Sequence, residues 1–584
     1  MIFLIHREEE IISFPTKKLN NFDLDKFNLD TYAIMKVYSN ILKASAGLFF
    51  GTATYLLSTN LPAKAAQKVI LRYGILSESI SVAELQKVAE SGKIQGPYKK
   101  YTDRLPVEER QELLKTLRTK YPINFLTLSR LLYTPGGSAI LKDLAKVTLR
   151  SESGGMQALR SALVRGSKNR EGLSIISFIN AYPSEQLEID VKEASKTFNQ
   201  LNLAYQQTQQ FMNAIAPQLS AVNNSQFSSN VDPSQPGNAT IDVLKLNLKD
   251  EKRSSRSVPV DIYFPKASTR KPKAKSVVVL SHGFSSDKSD MAYIAKHLAS
   301  HGYVVAAVEH TGSNLNYQID LTKKDGIIPL IKPQEFIERP RDISFVLDKL
   351  GEFNRQPNRR FFPQVSTDNV TLIGHSFGGG TALAIAGGEI QIDDLKSHCR
   401  NLTASTNGSQ WLQCFAQNLP QKRYQLRDNR VKQVIALNPT TSLMFGKTGL
   451  EKIQIPVMML ASSADKTTPA LTEQVISFSK IPSPKWLVGI VGATHGSIKD
   501  PASTAGRESE NKSEVVGEKA TDIRKYIQGI SLAFVYRNNS PSYQTFLTPE
   551  YAHYASTKTF PIRLVREIPA DVMKSIYQIV GKNQ

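Results

Sequence analysis

The sequence predicts an α/β protein: a mostly parallel sheet with helices on both faces, preceded by a small all-helical domain. Three observations lead there. Short continuous apolar runs at 277–280, 304–308, 370–373, 434–437, 457–460 and 487–491 alternate with helical segments, as strands buried on both faces of a parallel sheet require. Residues 66–190 carry apolar side chains at helical spacing. And 584 residues exceed what one hydrophobic core sustains, so at least two domains are expected. A composition of 41% hydrophobic and 21% charged residues excludes a largely disordered, collagen-like or multi-span membrane chain.

Residues 1–34 are polar, mixed in charge and without periodicity. From Met35 the chain reads as a signal peptide: Lys36 and Lys43, an apolar stretch at 44–57, and the Ala63-Lys64-Ala65 cleavage pattern. The stretch is shorter than the roughly 20 residues a membrane span needs. An internal leader is unusual, and a start of translation at Met35 would make 1–34 a non-native extension. A buried helix and an uncleaved anchor are the alternatives.

In the segment 66–190, Ser81 and Glu84 frame a capping box before a helix that Gly92 stops. A second helix begins at Pro106 and buries Leu113, Leu114 and Leu117; a third carries Ile140, Leu141, Leu144 and Val147. Residues 191–238 turn Gln-, Asn- and Ser-rich. Their first half reads as an amphipathic helix and the rest, after Pro217, as a linker. From 239 to 584 runs the catalytic unit, opened by a hairpin of alternating strands at 241–248 and 258–264.

Gly374-His375-Ser376-Phe377-Gly378 matches G-x-S-x-G. Alone the match is weak. Its context is stronger: an apolar run leads into it and small residues after Gly378 open a helix, the strand-turn-helix that presents a serine on a strained turn. A serine hydroxyl needs a base held by an acid, in the chain order Ser, Asp, His for such a turn. Asp465, after the run at 457–460, and His495, after 487–491, follow in that order. Taken singly, each is as readily an ordinary loop residue; together, at strand ends behind an elbow, they read as a triad. Two backbone N–H groups are needed for the oxyanion. Phe377 supplies one, and Phe284, in His282-Gly283-Phe284 after the first central strand, the other. His310 is a weaker second candidate base, Glu309 and Asp287 are less well placed acids, and the strand at 434–437 ends on Asn438.

At these residues the sequence resembles the α/β-hydrolases, and more narrowly the platelet-activating-factor acetylhydrolase-like and dienelactone-hydrolase-like branch. The resemblance rests on 280–284 (LSHGF), 298–310 (LASHGYVVAAVEH) and 373–379 (IGHSFGG), and covers about 240–500. Residues 66–190 resemble a helical N-terminal domain of unknown function found on cyanobacterial hydrolases. The resemblance implies an α/β-hydrolase fold, Ser376 as nucleophile, His495 as base, and Phe284 with Phe377 as oxyanion donors. It departs at Asn438, where the animal acetylhydrolases place the acid; Asp465 holds the more general hydrolase position.

A long insertion, 388–430, follows the elbow helix and contains Cys399, Cys414, Trp411 and Phe415. It reads as a cap, or else as a surface excursion. In an exported protein the two cysteines would close a loop worth about 3 kcal/mol; two free buried thiols are the alternative. Residues 316–338 form a second candidate rim, and the polar stretch 499–519 looks mobile.

The expected function is an exported serine hydrolase of carboxylic esters, acyl lipids among them, placed in the periplasm or another extracytoplasmic compartment. A dienelactone-hydrolase-like or thioesterase activity, and an idle scaffold binding a partner or cell wall, are the alternatives. No cofactor is expected, and two cysteines with no HExxH pair give no metal site. The net charge is +21, from 73 Lys and Arg against 52 Asp and Glu. It stays at +20 without residues 1–65, so it suits an anionic membrane or cell-wall surface. Nucleic acid is not expected, because no recognition motif is present and Lys and Arg are scattered among acids.

Overall fold

The computed structural model describes residues 65–581 apart from 95–98, 217–226, 267–274, 324–329, 356–364, 504–513 and some stretches of one to three residues. The extension 1–34 and the leader 35–65 thus lie outside the described residues, Ala65 excepted. So does the middle of the polar stretch 499–519.

In the N-terminal unit the strands are β1 (Lys68–Tyr73), β2 (Leu76–Ser81) and β3 (Gln186–Asp190). In the catalytic unit they are β4 (Ile241–Asp250), β5 (Arg256–Pro265), β6 (Lys275–Ser281), β7 (Val304–Val308), β8 (Val365–His375), β9 (Ile390–Gln391), β10 (Arg423–Tyr424), β11 (Val431–Leu437), β12 (Val457–Ser462), β13 (Lys485–Ile490) and β14 (Ile562–Val565). Nine of these form one sheet in the order β14-β13-β12-β11-β8-β6-β7-β5-β4. From β13 to β7 all neighbours are parallel; β4, β5 and β14 are antiparallel to theirs. The central strands are apolar on both faces because both are covered. In β6, Val277 and Val279 belong to one core and Val278 and Leu280 to the other.

The N-terminal unit is not all-helical. β1 pairs with β2 across a hairpin turned at Gly74 and with β3 more than a hundred residues later. Val69 and Leu71 are buried on one side while Lys68 and Tyr73 are exposed, an alternation too short to outweigh the helical pattern that follows it. Helices Val82–Ser91, Val107–Arg118, Pro135–Val147 and Glu152–Gly166 surround this sheet, with Leu141, Leu163 and Leu173 in their core. Ser81 is the N-cap of the first of them, with no side-chain bond to the helix's first turn, and Gly92 ends it in the left-handed region.

Two helices, Val191–Leu201 and Leu203–Ala214, lead to the catalytic unit. The described part of the following segment is tied down. Phe227 packs on Phe546 and Tyr551, and the Gly237 N–H donates to Ser300 Oγ at 2.8 Å. No helix among the described residues is long and apolar enough to cross a membrane.

Candidate active site

Parallel order puts the carboxyl ends of β6, β8, β12 and β13 on one edge, where loops can converge. Each candidate residue follows one of these strands.

Ser376 follows β8 at φ 57° and ψ −119°, a conformation that costs a non-glycine residue free energy, and the helix Phe377–Ile385 starts on its far side. Two glycines permit this turn. A Cβ on Gly374 would run into the Gly378 carbonyl, and one on Gly378 into the carbonyl of Ser281 on the neighbouring strand. Gly283 lies across from Ser376, an ideal Cβ there falling 3.3 Å from the Ser376 Cβ.

Asp465 is fully buried. Its Oδ1 accepts from the N–H groups of Thr467 and Thr468, both at 2.8 Å, and its Oδ2 from Thr468 Oγ1 at 2.7 Å. His495 Nδ1 lies 2.6 Å from the same Oδ2. A carboxylate only accepts, so Nδ1 is the donor in this contact, and in the neutral ring Nε2 is the nitrogen with the lone pair. The His495 ring sits 4.8 Å from that of His375, the residue before Ser376. Among the described residues no hydrogen bond joins Ser376 Oγ to His495, a looseness common before substrate binds. Asn438, at φ 44°, is occupied with Ser462 rather than with either triad candidate.

The arm carrying Phe284 is held from below. Among the described residues, the turn and loop bonds include none from the Phe284 or Phe377 N–H to a backbone carbonyl, as the candidate oxyanion role requires. The fully buried Arg339 guanidinium donates to the His282 carbonyl and lies 4.4 Å from the centre of the Phe377 ring, so one side chain touches both segments that carry the candidate donors. Burial lowers its pKa to about 9. Ser281 Oγ is 3.0 Å from His310 Nε2, and His310 Nδ1 is 3.0 Å from Asp342 Oδ2. Arg253 and Arg256 pair with the same carboxylate. His310 is thus not beside Ser376 but in a second Ser-His-Asp set, wholly buried. Burial, reinforced by Arg339, Arg256 and Arg253, holds its imidazole well below the usual histidine range.

The insertion after the elbow folds as helices Ile392–Cys399 and Gly408–Cys414, joined by the Cys399–Cys414 disulfide. Trp411 and Phe415 stand edge to face at 5.3 Å and pack against the same apolar cluster as Phe284.

Sequence reasoning missed Ser281, Arg339 and Asp342. One signal was available: Glu335, Arg339 and Asp342 recur at i, i+4 and i+7 of the helix Glu335–Asn354, putting charge on a face an ordinary helix would bury as apolar.

Two family models match. Residues 65–190 match the alpha/beta hydrolase of unknown function family, DUF1400, and residues 253–325 match platelet-activating factor acetylhydrolase, isoform II. A comparison with curated proteins finds no match. The nine-stranded sheet, the elbow and these matches agree. The chain has an α/β-hydrolase fold. The matches support the platelet-activating-factor-acetylhydrolase-like branch and ester hydrolysis as its type of reaction. One match covers the candidate oxyanion arm, while the other lies wholly in the N-terminal unit, outside the nine-stranded sheet.

Proposed function

We propose that this hydrolase is an exported serine esterase that cleaves carboxylic esters, acyl lipids among them, with Ser376, His495 and Asp465 as its triad. The observation that carries the reading is the 2.6 Å contact between Asp465 and His495 in loops that converge on the strained Ser376 turn.

Ser376 Oγ attacks the ester carbonyl while its proton passes to His495 Nε2. Asp465 fixes the tautomer and balances the imidazolium. The carbonyl oxygen becomes an oxyanion facing the Phe284 and Phe377 N–H groups. His495 then protonates the leaving alkoxide, and water attacks the acyl-enzyme by the same route in reverse. The disulfide supports export, because such bonds persist in oxidising compartments. The net positive charge supports work at an anionic membrane or cell-wall surface.

A panel of p-nitrophenyl esters tests this on the wild type and Ser376→Ala. Turnover that vanishes in the variant is expected. Equal activity in both would remove Ser376 from the mechanism, and no activity on any ester would favour a scaffold.

A further inference from the structure

The N-terminal unit touches the catalytic unit next to the candidate oxyanion donor. The helix Phe125–Leu131 ends on Leu131, which is buried in one apolar cluster with Leu321 and Leu330. Packed on that cluster are Phe284, Tyr317, Trp411 and Phe415. Arg130 Nη1 donates to the Leu321 carbonyl and fixes the same junction through the backbone. The next helix, Pro135–Val147, approaches so closely that a Cβ on Gly136 would fall on the Trp411 indole. The apolar cluster against which Phe284 packs therefore includes a residue about 150 positions earlier, from a different folding unit.

The connecting helices reach the other end of the site. Gln209 Nε2 donates to the Ser463 carbonyl at 2.7 Å, and Thr208 Oγ1 accepts from the Leu471 N–H at 3.1 Å. These bonds bracket the loop that carries Asp465.

The sheet order decides which part of an ester meets the Leu131 wall. His495 follows β13, Ser376 follows β8, and Phe284 follows β6, so Ser376 stands between the imidazole and the apolar wall. The alcohol must leave on the side of His495, which protonates it. With the oxyanion held at the Phe284 and Phe377 N–H groups, the acyl chain is the substituent left to turn away from His495, toward the Phe284 side chain.

We propose that the N-terminal unit is a working part of the active site: Leu131, with Leu321, Trp411 and Phe415 around Phe284, forms the wall that receives the apolar acyl chain and limits its length. The proposal rests on the ester-hydrolase reading above. It gives residues 66–190 a task in selectivity, because the wall is incomplete without them.

The experiment compares the octanoate-to-acetate ratio of kcat/KM, with p-nitrophenol as the constant alcohol, in the wild type, Leu131→Ala, Leu131→Trp and Leu163→Ala. Leu163 lies in the N-terminal unit's own core, away from the wall. Shortening Leu131 is expected to raise the ratio about tenfold, and enlarging it to lower the ratio about tenfold, the scale of one or two methylenes in an apolar site. Leu163→Ala should lower the melting temperature and leave the ratio unmoved. An active wild type whose ratio is unchanged in both folded Leu131 variants overturns the wall and leaves the ester reading standing. A wild type inactive on every ester overturns both.

Should the Leu131 variants fail to fold, Trp411 reports directly. The chain has two tryptophans, and Trp486 belongs to the other face of the sheet. In Trp486→Phe, octanoate is expected to shift Trp411 fluorescence saturably and acetate to leave it unmoved. Equal responses to both acids would overturn the proposal.

Discussion

Two Ser-His-Asp sets lie within one molecule, Ser376 with His495 and Asp465 at the edge of the sheet, and Ser281 with His310 and Asp342 beneath it. In the buried set both contacts are 3.0 Å, and all three residues have no exposure. The Ser281 O–H is already spent on His310. At the edge, Ser376 keeps 6% exposure on a strained turn and the His495 side chain 15%, while the Asp465 contact shortens to 2.6 Å. The difference teaches that the residue trio does not make a reactive site. What separates them is access, a hydroxyl without a partner among the described residues, and, in the proposed mechanism, a place for the oxyanion beside the edge set. The buried set braces the strand that ends in the oxyanion arm, and its imidazole is kept neutral by burial and three arginines.

The comparison breaks most sharply at the serines. Ser376→Ala is expected to lower kcat at least about 10³-fold with the melting temperature nearly unchanged, measured by steady-state kinetics and calorimetry. A residual activity near wild type would place the chemistry elsewhere. On the buried side the large effect is on folding: Asp342→Asn removes a carboxylate that Arg253 and Arg256 share, leaving them Asp250, Glu338 and Glu335, and should cost about 1–3 kcal/mol in denaturant unfolding.

Arg339 links the two sets, so its removal sharpens the contrast. Arg339→Met keeps the bulk while freeing the His282 carbonyl; kcat should fall about 10- to 100-fold with KM within about twofold, as expected for a displaced donor. An equal fall in kcat/KM through KM alone would mean that Arg339 does not position the oxyanion arm. Ser281→Ala loses one neutral hydrogen bond, about 1 kcal/mol of stability, and should leave kcat within about threefold.

The smallest effect is on pH. His282, His297, His310 and His375 are all depressed by burial, His297 to about 4. Unfolded histidines take up protons near 6.5 and these folded ones do not, so their contribution to stability is full above about pH 6.5. It is lost as pH falls toward the folded values. The melting temperature should therefore decline from pH 6.5 downward, and His297→Gln should shallow that decline. A flat profile between pH 7 and 5 would contradict the buried, neutral state of these side chains.

Much of the layered sheet was legible because buried parallel strands are continuous apolar runs, and because the elbow needs its glycines beside the serine. Asp465 and His495 could be picked out because loops after parallel strands share one edge. The strands of the N-terminal unit were not legible: β1 and β3 become partners only through a parallel pairing across more than a hundred residues, which leaves no local signature. Arg339 and Asp342 were hidden differently. A charged helix face reads as solvated until its partners, Arg253, Arg256 and the His282 carbonyl, arrive from other elements.

By itself the sequence determined the alternation of strands and helices, the strained serine turn and the order of the candidate acid and base, because all three depend on neighbours within a few residues. Only the tertiary structure decided which Ser-His-Asp set lies partly open and which is sealed, that one arginine meets both the His282 carbonyl and the Phe377 ring, and that Leu131 and Phe284 share one apolar cluster. Those depend on chain segments far apart in sequence being brought within a few ångströms, and burial then sets what each group can do.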